Sequence, residues 1–384
     1  RQVILGNRAP DDAFAGWTRR LAMEHILDRG IRFISTGEMR KTLLLRALLQ
    51  QPAVLVLDSP LDGLDRASQA EMNDLLEELL ASQMHLLLLC RDLRDLPPGV
   101  THLLALEEGR VVASAPRRQV LDTPDVKALM APPDLALGAL PEPAARPYQL
   151  IPGDPLLDLR KVCVSYGEIA VLRDVNWTLR PGQHCCISGP NGCGKTTLLS
   201  LVNGDNHKAY GQDITLFGQR RGSGESVWDI KQKFGLLSTD LHLNHVRGMR
   251  AIEVVVSGFF DSIGLYDDWG DKQRDIARAW LTTLGLGALE NSSFDTLSFG
   301  LQRMVLLARA MVKSPVILLL DEPCLGLDGH NRRTILRAVD HIAANSHTQV
   351  LYVSHSLADM PACINQHLEF VPTEEGFEVR CSTP

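Results

Sequence analysis

No apolar run in this 384-residue sequence approaches the roughly 18 residues that a membrane-spanning helix needs. The longest, such as residues 86–89, have the length of a buried strand, so if the chain works at a membrane another subunit does the spanning. A surplus of positive charge is also missing. The formal net charge of -7 argues against a protein that grips nucleic acid by broad phosphate neutralisation, and it gives no strong nucleic-acid signal. The eight cysteines are scattered and include no CxxC pair, so a disulfide framework is not expected. Adjacent Cys185 and Cys186 sit in an apolar run and read as strand residues, which suits a reducing cytoplasm. An initiator Met is absent as well: the sequence opens at Arg1 inside what reads as a domain, and N-terminal truncation is expected.

What is present is a repeat. Ile34-Ser35-Thr36-Gly37-Glu38-Met39-Arg40 parallels Leu297-Ser298-Phe299-Gly300-Leu301-Gln302-Arg303, and a helical stretch then leads to an apolar strand ending in Asp58 or Asp321. The spacing from Ser35 to Asp58 and from Ser298 to Asp321 is 23 residues in both cases. Leu61-Asp62-Gly63-Leu64-Asp65 and Cys324-Leu325-Gly326-Leu327-Asp328 follow at equal distance, and a second apolar strand comes next at 86–90 and 350–354. Register kept over four elements is not chance, so the chain reads as a tandem duplication. Residues 1–123 are expected to be the C-terminal part of a first copy. Residues 124–155, with Pro132-Pro133, Pro141, Pro143 and Pro147, are expected to be an extended linker, and 156–384 a complete second copy.

The second copy carries Gly189-Pro190-Asn191-Gly192-Cys193-Gly194-Lys195-Thr196, which fits the phosphate-loop pattern. Its glycines let backbone N–H groups converge on phosphate oxygens, and the helix beginning around Thr197 adds its dipole. Lys195 is expected to reach the β- and γ-phosphates and Thr196 to place its hydroxyl on Mg²⁺. The apolar, β-prone residues 184–188 supply the strand that the motif needs, where a fortuitous Gly-rich turn would not. Ile317-Leu318-Leu319-Leu320-Asp321-Glu322 is an apolar strand ending in two carboxylates, a costly pair to bury without a metal or donors. Asp321 suits Mg²⁺ binding through water and Glu322 suits a general base. His355 follows the next strand, where it could orient the attacking water; taken alone it could equally be a surface histidine. The phosphate-loop Lys195 precedes Ser298 by 103 residues, so the first copy's matching lysine would fall ahead of Arg1, and the natural protein is expected to be roughly 100 residues longer.

In order and spacing these motifs resemble the ATP-binding cassette (ABC) family, over nearly the whole chain. The resemblance implies an α/β fold of the P-loop NTPase type, an ABC nucleotide-binding domain tandemly duplicated with its first copy incomplete, and Mg²⁺-dependent ATP hydrolysis. It places Ser298-Phe299-Gly300 at the signature, Asp328 at the end of the D-loop, His355 at the switch and Tyr166 on the adenine. It also implies head-to-tail pairing of the two copies within the full-length chain. Lys195, Thr196, Asp321, Glu322 and His355 would then meet Ser35, Thr36 and Gly37 of the first copy's signature. Departures from the pattern matter: Ser238 stands where a Gln is expected, Phe299 and Leu301 weaken the second signature, and Ser59 and Arg91 replace the first copy's catalytic Glu and switch His. One hydrolytic site and one degenerate site follow.

Residues 211–230 and the ending with Pro361-Ala362-Cys363-Ile364 and Leu368-Glu369-Phe370-Val371-Pro372 resemble the ModF-type tandem cassettes, a molybdenum-transport ATP-binding group also described as photorepressor-like. That implies an ATP-hydrolysing subunit serving an integral membrane permease from the inner face of the plasma membrane, with molybdate entering through the resemblance alone. A helical insert at about 250–289 is where the family docks such a partner. A translation-associated twin cassette would carry a long charged linker helix, whereas this linker is short and Pro-rich. A regulatory ATPase is the other alternative, and a purely structural nucleotide sensor is disfavoured by Glu322 and His355. Smaller signals read plainly: His242 and His245 as ordinary histidines rather than metal ligands, Arg220-Arg221 as a solvated hairpin tip, Trp228 and Trp280 as core or interface anchors, and 71–80 as a helix packing on its own sheet.

Overall fold

The computed structural model describes residues 1–6, 9–30, 34–107, 109–131, 136–144, 153–355, 359–374 and 376–383. Contacts divide the chain into two units, Arg1–Ala131 with Asp328–His330, and Pro132–Leu327 with Asn331–Pro384.

In the first unit, α1 (Asp12–Arg20) is capped by Asp11, whose side chain accepts from the Phe14 N–H. α2 (Thr36–Leu48) starts at Ser35 with a reciprocal capping box to Glu38, satisfying two otherwise orphaned donors. β1 (Val54–Asp58), α3 (Arg66–Leu80, capped by Asp65) and β2 (His85–Leu89) form a strand-helix-strand crossover. The two strands run parallel, with Val54 opposite His85 and Asp58 opposite Leu89. α3 buries Met72, Leu75, Leu76 and Leu79, so it does pack its apolar stripe inward. The core, centred on Phe14, Met23, Leu45, Leu55, Leu64 and Leu76, lies on one face of the sheet only. The other face is open: Val54, Val56, Leu87 and Leu89 are 53%, 55%, 55% and 47% exposed. An antiparallel hairpin, β3 (His102–Glu107) and β4 (Arg110–Pro116), follows.

The stretch expected to be an extended linker opens instead with a helix, Pro124–Met130. Proline suits the first helical position because its missing N–H would have no intrahelical partner there. Further along, residues 136–144 are indeed non-helical and strap onto the second unit: the Gly138 N–H donates to Thr283 O at 3.0 Å and Thr283 Oγ1 to Ala139 O at 2.8 Å.

The second unit begins with β5 (Leu157–Tyr166), β6 (Ile169–Leu179), β7 (Cys185–Ser188) and α4 (Lys195–Val202). β8 (Asp213–Leu216), β9 (Gln219–Arg220) and β10 (Phe234–Ser238) come next. The helical insert holds α5 (Ala251–Val256) and α6 (Asp271–Thr283), and α7 (Phe299–Met311) returns to the sheet. The chain closes with β11 (Ile317–Asp321), α8 (Gly329–Asn345), β12 (Gln349–Val353), β13 (Gln366–Thr373) and β14 (Gly376–Ser382). One sheet has the order β10-β11-β12-β7-β13-β14, parallel except for the final hairpin. The other, antiparallel, has the order β6-β5-β8-β9, so it joins strands that precede the phosphate loop to strands that follow it.

Residues 317–320 of β11 and 350–353 of β12 are apolar without alternation because both faces of these central strands are buried. Ile317, Leu319, Leu351 and Val353 point to a core shared with the antiparallel sheet and α4. Leu318, Leu320, Val350 and Tyr352 point to a second core with α5, α6 and α7. Cys185 and Cys186 are buried in β7, as expected of strand residues, and every described cysteine is free. Trp280 is a core residue, whereas Trp228 is 63% exposed. Arg221 is not a solvated tip: its side chain is buried in an ion pair with Glu225 at 2.7 Å, its guanidinium 5.0 Å from the Tyr210 ring centroid.

Candidate functional site

The carboxyl ends of β7, β11 and β12 bring the phosphate-loop and carboxylate residues together, the usual place for a ligand on a parallel sheet. Register sets this directly: Ile187 lies opposite Val353 and Leu320 opposite Tyr352, so the loops after these strands emerge side by side.

The phosphate loop leaves β7 at Ser188 and enters α4 at Lys195. Gly189, Gly192 and Gly194 have φ of 147°, 79° and 108°, a region that side chains resist. A Cβ on Gly189 would sit 2.6 Å from the Phe370 Cβ, and one on Gly194 2.9 Å from Leu172 Cδ2, while Gly192 faces open space. Gly189→Ala is therefore expected to destabilise the fold by roughly 1–3 kcal/mol through strain plus a backbone-anchored clash. Gly192→Ala should cost about 1–2 kcal/mol from φ alone. Denaturant melts of the two variants check the ranking. Cys193 is buried, Asn191 half-buried and Thr196 exposed at the start of α4, followed by half-buried Thr197. Lys195 is 7% exposed, and its ammonium donates to the carbonyls of Gly189 and Pro190 at 2.7 and 2.8 Å, which holds it within its own loop.

Asp321 ends β11 and Glu322 follows with φ 48°, its N–H donating to Val353 O at 3.0 Å. This left-handed step turns the second carboxylate toward the end of β12, where Glu322 Oε1 meets His355 Nδ1 at 3.2 Å. Burial, then the neighbouring Glu322, pushes the Asp321 carboxyl up to about 6, against the pull of Lys195 and Arg303. Glu322 is held below the usual range: burial raises it, but its bond to His355 and the His355, Lys195 and Arg303 charges outweigh that. A half-buried carboxylate pair at the end of a parallel strand, with the Lys195 charge acting on both, is a hard donor set that fits a divalent cation. Ser238, at the expected Gln position, lies opposite Asp321 in register, and its Oγ accepts from the Leu241 N–H at 3.1 Å, capping the short helix Thr239–Leu243.

The first unit repeats this geometry without the chemistry. Ser59, which follows β1 as Glu322 follows β11, has φ 45° and donates its N–H to Leu89 O at 2.8 Å, as Glu322 does to Val353. Arg91 occupies the His355 position and is ion-paired with Asp62 at 2.7 Å. The two signatures also share a close approach. A Cβ on Gly37 would lie 2.9 Å from Ser68 Oγ, and one on Gly300 2.1 Å from Asn331 Oδ1, and Ser68 and Asn331 are themselves repeat partners. Ser35 caps α2 with the Glu38 box; the side chain of Thr36 lies outside the described residues. Ser298 caps α7, but Leu301 cannot return a bond, so no box forms.

Sequence spacing did not reveal what surrounds the second signature. His242 stacks on Phe299 with centroids 4.5 Å apart, its Nε2 at 2.7 Å from Gln302 Oε1. On the same ring the Arg303 guanidinium lies at 5.3 Å, and Arg303, fully buried, donates to Thr239 Oγ1 at 3.0 Å. His242 and His245, both lying against the Phe294 ring, are thus packing residues, and no cluster of three or more His, Cys, Asp or Glu placed to hold a metal occurs among the described residues. Tyr166 ends β5, partly exposed.

Residues 172–325 match the family model described as ABC transporter. The chain is 42% identical over 351 residues to the ABC transporter ATP-binding protein ModF of Escherichia coli, covering 90% of this chain and 71% of that protein. It is 28% identical over 349 residues to an ABC transporter ATP-binding protein of Schizosaccharomyces pombe, covering 90% and 69%. A bacterial ABC transporter cassette solved as a dimer superposes with a TM-score of 0.50 at 22% identity, covering 59% of this chain and 98% of that one, a likeness of fold.

Proposed function

We propose a working role for this chain, which belongs to the ABC transporter family of ATP-binding proteins: it hydrolyses ATP at one composite site of a tandem cassette, and that hydrolysis drives a membrane permease. ATP binding and hydrolysis follow from the family. The observation that carries the single-site reading is the Glu322–His355 pair at 3.2 Å, set against Ser59 and an Arg91 already paired with Asp62.

Within this reading, Tyr166 stacks on the adenine, and the backbone of residues 189–194 wraps the phosphates. Lys195 leaves its loop carbonyls for the β- and γ-phosphates, and Glu322 accepts the proton of the attacking water while His355 fixes that water's position. Thr196 and Asp321 would hold Mg²⁺, which when bound neutralises charge on the β- and γ-phosphate oxygens. Ser35, Thr36 and Gly37 of the first copy's signature would close over the γ-phosphate with a helix N-terminus. The Phe299 side chain, held by His242 and Arg303, stands at the position where the family signature has glycine, which supports the degeneracy of the opposite site.

Residues 1–123 are taken as the C-terminal part of the first cassette, 124–155 as the linker and 156–384 as the second cassette. The open apolar face of β1 and β2 supports the first assignment, because the equivalent face of β11 and β12 is fully covered. No helix among the described residues is long and apolar enough to cross a membrane. In the transport reading a permease subunit does the spanning, met by the chain from the cytoplasmic face of the plasma membrane. Molybdate is the cargo the ModF likeness suggests. A zinc import ATP-binding protein of Haemophilus influenzae is also 30% identical over 220 residues, so likeness of the cassette alone does not choose between cargoes. Ser238 in place of the Gln favours a second reading, a regulatory or translation-associated twin-cassette ATPase without a transport role.

Purifying the Glu322→Gln protein from its own cells decides between them. An integral membrane protein that co-purifies only with ATP supports transport and identifies the cargo route. Ribosomal proteins, or no membrane partner, support the second reading and overturn the first.

A further inference from the structure

The base-binding end of the site has a support that none of the motifs describes. Tyr166 is 44% exposed at the end of β5, so nothing in the core fixes its ring. Its hydroxyl instead accepts from Asn206 Nδ2 at 2.9 Å. Asn206 is 8% exposed and is tied to α4: the same amide nitrogen donates to Ser200 Oγ at 3.1 Å, and its backbone N–H donates to Ser200 O at 2.9 Å. Its Oδ1 accepts the Lys208 N–H at 3.0 Å, and the Lys208 ammonium lies 5.1 Å from the centroid of the Tyr166 ring. Ser200 belongs to the helix that the phosphate loop opens. A chain of hydrogen bonds thus runs from that helix to the tip of the aromatic side chain, and a cation covers one face of the ring.

We propose that Asn206 is a positioning residue for the nucleobase: it fixes the Tyr166 ring relative to the phosphate loop, with Lys208 behind the ring and the opposite face left for the base. The inference rests on the reading of Tyr166 as the base platform. An exposed tyrosine free to rotate would lose that freedom on binding; one already held loses less, so anchoring strengthens binding without altering the chemical step. Contacts of this kind hold substrate and transition state equally, so their removal raises KM and leaves kcat alone.

The test measures ATP binding and steady-state turnover for Asn206→Leu, Asn206→Asp, Tyr166→Phe, Tyr166→Ala and the Asn206→Leu/Tyr166→Phe double variant. Asn206→Leu and Tyr166→Phe should each weaken ATP binding roughly 2- to 10-fold, the value of one hydrogen bond, at unchanged kcat. The double variant should be no weaker than either single one. Asn206→Asp, whose carboxylate accepts from the tyrosine O–H, should restore binding. Inorganic tripolyphosphate, which lacks a base, should bind every variant alike, whereas a general folding defect would weaken it too. If Tyr166→Ala weakens ATP but Tyr166→Phe and Asn206→Leu do not, or if their effects add, the positioning role is overturned while the platform stands. If Tyr166→Ala has no effect, the platform reading itself fails. Should Asn206→Leu not fold, Tyr166→Phe removes the same bond and leaves Asn206 on Ser200.

Discussion

Glu322→Gln is expected to lower the ATPase kcat of the full tandem protein by roughly 10²–10⁴-fold, the usual value of a positioned general base, while ATP remains bound. The amide keeps nearly the shape of the carboxylate but cannot take a proton from water. The left-handed turn at Glu322 (φ 48°) and the N–H bond to Val353 stay in place, because both are backbone features. What disappears is the charge held low in pKa by His355, Lys195 and Arg303 against the effect of burial. Phosphate release and nucleotide retention, measured on the same preparation, separate lost chemistry from lost binding.

The same assay applied to Ser59→Ala and Arg91→Ala tests the asymmetry. Both should leave turnover within about twofold of the parent, since neither residue faces a reacting group in the single-site reading. Ser59 donates its hydroxyl to Asp58 Oδ1 at 2.9 Å, and Arg91 is engaged by Asp62. At the equivalent place the second copy has Leu325, which offers no charge to capture a switch residue, and His355 is left to Glu322. A drop of more than tenfold in either variant would mean that the first copy contributes to hydrolysis and that two sites share the work.

The parts of this site legible in the sequence are those where chemistry demands a residue type at a fixed spacing. Backbone cradling of phosphate demands glycines, and three of them adopt positive φ; the paired carboxylates end an apolar strand because the sheet delivers them there. The duplication was legible for the same reason, and the structure repeats it down to the glycine contacts with Ser68 and Asn331. Contacts made by neighbours close in space but not in a motif were not legible. His242 against Phe299 joins residues 57 apart in the chain, and Asn206 to Tyr166 joins residues 40 apart. Arg221 misled because a doubled arginine after a short strand usually faces water; in the folded chain Glu225, four residues on, gives it a partner and Tyr210 a surface to lie on. Proline content misled at 124–130, where composition says "no helix" but position says "first turn".

Leu319→Asp and Val56→Asp put the same carboxylate at equivalent places in the two copies, yet their effects should lie far apart. Leu319 is 1% exposed, in the core between the two sheets. A charge there has no partner within the apolar core, and the penalty of several kcal/mol is comparable with the roughly 5–15 kcal/mol that holds a domain together. The second unit should fail to fold, seen as loss of its cooperative melt. Val56 is 55% exposed on the open face of β1, where the substitution should shift stability by no more than about 0.5 kcal/mol. The contrast also tests the assignment of residues 1–123. If a phosphate-loop half joined ahead of Arg1 covers that face as 156–234 covers β11 and β12, Val56→Asp must become as damaging in the longer protein as Leu319→Asp is in the second unit. If it stays harmless in the longer protein, the first unit is not the remainder of a cassette, and the composite site loses the signature that Ser35 and Gly37 were to supply.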